Sequence, residues 1–148
     1  MPISYTVLDS GIVLATVQTE LHTRRAETPI ERLVQQQVQM LAPALLHYEL
    51  IAVARKWVYR QLTTVEKAQA ALNTLLSYPV TTVVDEVLLR RAYESATEYN
   101  RPTAYDAQYL AVTERYQCDF WTADERLFNA VSGRFPSVYW LGDVKLEA

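Results

Sequence analysis

Four acidic residues in this sequence stand where carboxylate chemistry could be done: Asp9, Glu49, Asp106 and Asp124. Asp9 closes the short strand pattern Tyr5-Thr6-Val7-Leu8, and Asp124 lies just beyond the pattern Cys118-Asp119-Phe120-Trp121-Thr122. Asp106 falls in the first turn of an alanine-rich helix, and Glu49 lies within two turns of the start of a helix that follows the second strand. On a parallel sheet these positions share one edge. Carboxylates that converge repel one another unless positive charge sits between them. A hard divalent cation, Mg²⁺ or Mn²⁺, suits that place because it takes oxygen ligands and retains waters that carry chemistry.

Other chemistries have little to draw on. The three glycines, Gly11, Gly133 and Gly142, cannot build a phosphate loop or a dinucleotide fingerprint. One cysteine, Cys118, can make neither an internal disulfide nor a Cys-rich zinc site, which fits a reducing cytoplasm. His22 and His47 are the only histidines. With 14 Lys+Arg against 17 Asp+Glu, a net of -3, the chain does not bind nucleic acid through bulk basicity. Its first residues lack a signal-peptide pattern and no apolar run approaches membrane-spanning length, so a soluble cytoplasmic protein with no membrane partner is expected.

The elements that must position the acids alternate between strand and helix. After the first strand a helix is expected over Ile12–Leu21, a polar loop over His22–Thr28, and a helix opened by Pro29 and running to Gln36. Val38–Leu41 reads as the second strand. Leu46, Leu50, Val53 and Trp57 stripe the next helix at the helical period. Thr63 and Glu66 have capping-box spacing ahead of another helix. Val80–Val84 is the third strand, and Leu88, Ala92, Ala96 and Tyr99 stripe the helix after it, with Asp85 as its candidate cap. Thr103 opens the alanine-rich helix. Cys118–Thr122 is the fourth strand, Asp124–Val131 a short helix and Ser137–Leu141 the last strand. Such alternation implies crossover connections, hence an α/β domain whose parallel sheet is covered on both faces, with ligands outside the strands' carboxyl ends. The length, 148 residues, suits a single domain over 1–148.

Each acid also has an ordinary structural reading. Asp9 or Ser10 could cap the first helix. Thr103 with Asp106, and Thr122 with Glu125, have capping-box spacing. An acid in a first turn is favoured by the helix dipole. Glu49 differs, because it sits well past a first turn among Leu45, Leu46, Leu50 and Ile51.

The segments Val7-Leu8-Asp9-Ser10, Pro43-Ala44-Leu45-Leu46-His47-Tyr48-Glu49, Tyr105-Asp106-Ala107-Gln108-Tyr109-Leu110-Ala111 and Trp121-Thr122-Ala123-Asp124-Glu125-Arg126-Leu127 occur in order along nearly the whole chain. In these the sequence resembles the PIN-domain family, and most of all the VapC-like toxin ribonucleases of prokaryotic toxin–antitoxin pairs. The last two segments resemble that family's YDAxYLA and TAD-x-x-L motifs. The resemblance implies a three-layer α/β/α domain with a parallel sheet of four to five strands, and a metal-dependent endoribonuclease. It implies that Asp9, Asp106 and Asp124 hold one or two Mg²⁺ or Mn²⁺ ions. Glu49 would complete the site or orient the attacking water, with Thr122 and Ser10 in support. It implies, further, a cognate antitoxin and a homodimer. Gly11 stands where many relatives have Asn or Ser, and Ala52 where many have Asn. Those departures keep open a catalytically weak PIN-like module that binds RNA or a protein. A nuclease of RNA maturation shares the same chemistry.

Away from the acids, Arg24 and Arg25 in the expected loop are candidate phosphate contacts. His47 falls on a different helix face from Glu49.

Overall fold

Parallel strands require helical crossovers, and strands that are apolar on both sides require a covering layer on each. The computed structural model, which describes residues 3–17, 20–135 and 137–144 (of residues 20–24 and 28 the backbone only), meets both requirements. Its strands are β1 (Tyr5–Leu8), β2 (Gln39–Pro43), β3 (Val80–Val83), β4 (Asp119–Thr122) and β5 (Val138–Trp140). They form one sheet in the order β3-β2-β1-β4-β5, with every neighbouring pair parallel. The helices are α1 (Ser10–Ala15), α2 (Glu20–Gln35), α3 (Leu45–Tyr59), α4 (Val65–Leu76), α5 (Glu86–Glu98), α6 (Tyr105–Tyr116) and α7 (Glu125–Val131). The expected α/β architecture, with a parallel sheet of four to five strands, is observed with five.

Period-two alternation divides the strands' side chains between two cores. Val7, Leu41 and Phe120 point into the larger core, which packs Leu46 and Leu50 of α3, Leu110 of α6 and Leu127 of α7. Leu8 and Met40 point the other way, onto Ile12 of α1 and Ala26 and Ile30 of α2. The chain builds β1, β2 and β3 outward in one direction, then returns to place β4 on the other side of β1. The loops after β1 and β4 therefore separate at their carboxyl ends, where a sheet of this kind opens a crevice.

Helix starts follow local chemistry. Asp9 Oδ1 accepts from Ile12 N–H at 3.0 Å, and Asp85 Oδ1 from Leu88 N–H at 2.8 Å. Thr64 Oγ1, rather than Thr63, accepts from Lys67 N–H at 3.2 Å, because Thr64 has the extended backbone a cap needs. The largest correction concerns His22–Thr28. These residues form no loop but belong to α2, which runs through Pro29. Ala26, Ile30 and Leu33 recur at helical spacing and pack against the sheet, so tertiary burial overrides the polar composition and the proline. The helix after β1 is also shorter than expected and ends at Ala15; residues 18 and 19 of that expectation lie outside the described set. Among the described residues, no helix is long and apolar enough to cross a membrane.

Phe120 is fully buried at the centre of the larger core. Phe120→Ala is expected to lower unfolding free energy by about 3–5 kcal/mol in urea denaturation. A loss near zero would mean that the Phe120 side chain of β4 does not pack in the larger core.

Candidate active site

The pairing of β1 with β4 brings Asp9 and Asp124 to neighbouring strand ends. Leu8 lies opposite Trp121, and Asp9 N–H donates to Trp121 O at 3.1 Å. The next residues along, Asp9 and Thr122, thus meet at the strand ends. Thr122 is fully buried, and its hydroxyl donates to Asp9 Oδ2 in a short hydrogen bond. The same hydroxyl oxygen accepts from Asp124 N–H at 2.9 Å. Asp124 in turn caps α7, its Oδ1 accepting from Arg126 N–H at 2.9 Å and Leu127 N–H at 3.2 Å. Thr122 therefore links two acids, and the cap of α7 is Asp124 instead of the Thr122–Glu125 box.

Glu49 enters from α3, half-buried. Tyr109 of α6 donates its phenol to Glu49 Oε1 at 2.6 Å, and the Ser10 hydroxyl bonds the same carboxylate. Asp106 opens α6, with Arg101 Nη2 3.2 Å from its Oδ2. The Thr103–Asp106 capping box does not form; Thr103 Oγ1 instead accepts a long bond from Tyr105 N–H, at 3.5 Å. All four acids line one cavity of about 290 Å³ together with Ser10, Gly11, Tyr109 and Ala123. A larger groove, bordered by Arg32, Leu33, Trp121, Tyr139 and Trp140, contains none of the four.

The electrostatics register the crowding. Burial pushes the Asp9 carboxyl up to about 7, against the lowering effect of bonds from Thr122, Ile12 and Ala123, and the charge of Glu49 adds to the rise. Glu49 is raised as well, first by burial and further by the charge of Asp106, against its bonds from Tyr109 and Ser10. The Tyr109 phenol is raised by burial and by the Glu49 charge beside it, so it remains a donor. A cation in this cavity would relieve all of these effects.

The donors present fit a hard divalent ion in type: every one is oxygen. Among the described residues, Asp106 Oδ1 and Asp124 Oδ2 make no hydrogen bond and are available to a ligand. As the side chains stand, no three described His, Cys, Asp or Glu groups lie close enough to share one ion. The physical reason is visible in the bonds above, since each carboxylate is drawn toward a different protein donor.

Gly11 has a local cause. A Cβ there would lie 2.8 Å from Ala123 Cβ and 3.3 Å from Asp9 Oδ1, so a side chain at this position would displace the residue after β4. Ala52 is exposed on α3. His47 is exposed and Arg25 is partly buried within α2; the side chain of Arg24 lies outside the described set. Sequence reasoning missed Arg101 and the role of Tyr109. For Tyr109 a signal existed, because it follows Asp106 by one helical turn and shares its face. Arg101 reaches Asp106 only through the turn that joins α5 to α6.

A family model described as "PIN domain" matches residues 7–133. No curated protein matches the sequence. Among solved structures, a toxin–antitoxin complex from Klebsiella pneumoniae is similar at 17% identity and TM-score 0.60, covering 92% of this chain and 97% of that one. FitAB bound to the IR36 DNA fragment is similar at 14% identity and TM-score 0.65, over 97% of this chain and 98% of that one. VapBC-1 from nontypeable Haemophilus influenzae is similar at 15% identity and TM-score 0.59, over 94% and 99%. At these identities the likeness is one of fold.

A carboxyl held at about 7 in the folded protein, against 3.8 ordinarily, keeps its proton where the unfolded chain has lost it. Stability should therefore fall as pH rises from about 4 to about 7, then level off. Asp9→Asn removes that loss. Thermal melts in metal-free buffer should show Asp9→Asn more stable than wild type at pH 8, with the gap closing toward pH 4. A gap that does not change with pH would contradict a protonated Asp9 in the native protein.

Proposed function

Because this chain belongs to the PIN-domain family, we propose that it is a metal-dependent endoribonuclease and the toxin of a toxin–antitoxin pair. The observation that carries this reading is the single cavity shared by Asp9, Glu49, Asp106 and Asp124 at the carboxyl edge of the sheet. The family's general association with nucleases and the toxin–antitoxin neighbours support it. We take residues 1–148 as one PIN-like unit that works in the cytoplasm, where RNA is at hand.

In this proposal Asp9, Asp106 and Asp124 hold the ion, Mg²⁺ or Mn²⁺, and Glu49 completes the set. When bound, such an ion activates water and neutralises charge on a phosphodiester. The chain's own residues prepare the place. Thr122 fixes Asp9 and the start of α7 in one arrangement through its hydroxyl. Tyr109 and Ser10 aim Glu49 and leave it the carboxylate able to take a proton from water, which its raised pKa favours. No side chain is needed as a covalent nucleophile.

The partners proposed are an RNA substrate, a cognate antitoxin and a second copy of the chain. Exposed Val34 on α2 and exposed Val65 and Leu76 on α4 supply apolar surface for the two protein contacts.

Purified wild type should cleave RNA, with single-stranded and duplex DNA as controls, and EDTA should abolish the activity. Asp106→Asn should lose roughly 10²-fold or more in rate while its circular dichroism stays native. RNA cleavage undiminished by EDTA and by Asp106→Asn would overturn the proposal. Folded protein that binds RNA without cutting it in Mg²⁺ or Mn²⁺ would favour the non-catalytic module.

A further inference from the structure

We infer that Arg101 is a positioning residue and the site's built-in counter-cation, whose charge sets how tightly a divalent ion is held beside Asp106. The inference rests on the metal-dependent reading above and adds to it a residue and a coupling.

Among the described residues, Arg101 is the only cationic side chain in ion-pair contact with any of the four acids; the other pairs lie within α5, between α5 and α6, and between α6 and the α5 cap. It is not a surface residue that happens to pass by. Its side chain is 15% exposed, and its Nε is buried without a hydrogen-bond partner. A buried N–H left unpaired is costly, so the guanidinium's own bonding does not explain why it stays there. Attraction to a crowded acidic edge does. The backbone fixes the approach: Asn100 adopts φ 51, and Arg101 N–H donates to Ala96 O at 2.7 Å across the end of α5.

Arg101 is not among the residues lining the acidic cavity, whereas Asp106 is. The guanidinium therefore acts on the cavity through Asp106. An ion bound to Asp106 from the cavity would feel the carboxylate's attraction and, behind it, the repulsion of a fixed positive charge. Acting across one carboxylate and screened by solvent at a partly buried site, that repulsion is enough to weaken binding roughly tenfold. A phosphodiester in the cavity brings the compensating negative charge. Ion and RNA would then strengthen each other's binding, reciprocally, and the free protein would hold its ion loosely.

The test is a calorimetric titration of Mn²⁺ alone into the metal-free, full-length protein. R101Q keeps an N–H donor for Asp106 but removes the charge, and should bind Mn²⁺ about tenfold more tightly than wild type. R101K keeps the charge and should stay within about threefold of wild type. The Mn²⁺ concentration for half-maximal RNA cleavage should fall in R101Q in the same direction. If circular dichroism shows that R101Q does not fold, R101M fills a similar apolar volume and carries the same expectation. Wild type and R101Q binding Mn²⁺ equally, or R101Q more weakly, would overturn the inference and make Arg101 a brace for the α5–α6 turn, leaving the proposed function standing. Failure of wild type, R101Q and R101M alike to bind Mn²⁺ would overturn the metal reading and this inference together.

Discussion

The hydrogen bond from Thr122 to Asp9 ties together the ends of β1 and β4, where the chain has stopped adding strands on one side of the sheet and begun on the other. Everything at the site depends on holding negative charge at that junction. Asp9 is only 7% exposed, and a carboxylate there needs donors or a proton. Thr122 and the amides of Ile12 and Ala123 are the donors. The remaining acids are each secured in turn, Glu49 by Tyr109, Asp106 by Arg101 and Asp124 by the amides of α7. The crowding is tolerated because each acid is anchored separately, and the same anchoring spreads the carboxylates around the cavity.

Much of this was legible in the sequence, and for identifiable reasons. Apolar alternation in Tyr5–Leu8 and Asp119–Thr122, with long amphipathic stretches between strands, leaves few options besides a parallel sheet covered on both faces. Once the strands are parallel, Asp9 and Asp124 must share an edge. What could not be read was three-dimensional. The helix through Pro29 is decided by Ala26 and Ile30 finding the sheet, a fact invisible to local composition. Capping-box spacing at Thr103 and Thr122 describes an option open to the backbone, and the site engages Asp106 with Arg101 and Thr122 with Asp9 and Asp124 instead. Arg101 lies five residues before Asp106 with no periodic relation to it.

Gly11 shows how a departure from a family pattern can have a local explanation. The first turn of α1 approaches Ala123 so closely that a side chain at Gly11 would collide with it, and the Ala123 N–H donates to Asp9 at 3.4 Å. A larger residue at 11 would need a shifted or smaller partner at 123. The glycine thus belongs to the geometry that positions Asp9.

Whether the four acids form a divalent-cation site is decided by crystals grown with Mn²⁺, through anomalous scattering at the manganese edge. A peak is expected inside the cavity, bonded to carboxylate oxygens of Asp106, Asp124 and Asp9, with those side chains drawn inward from their present anchors. A peak confined to surface carboxylates elsewhere, with the cavity empty at saturating Mn²⁺, would contradict it.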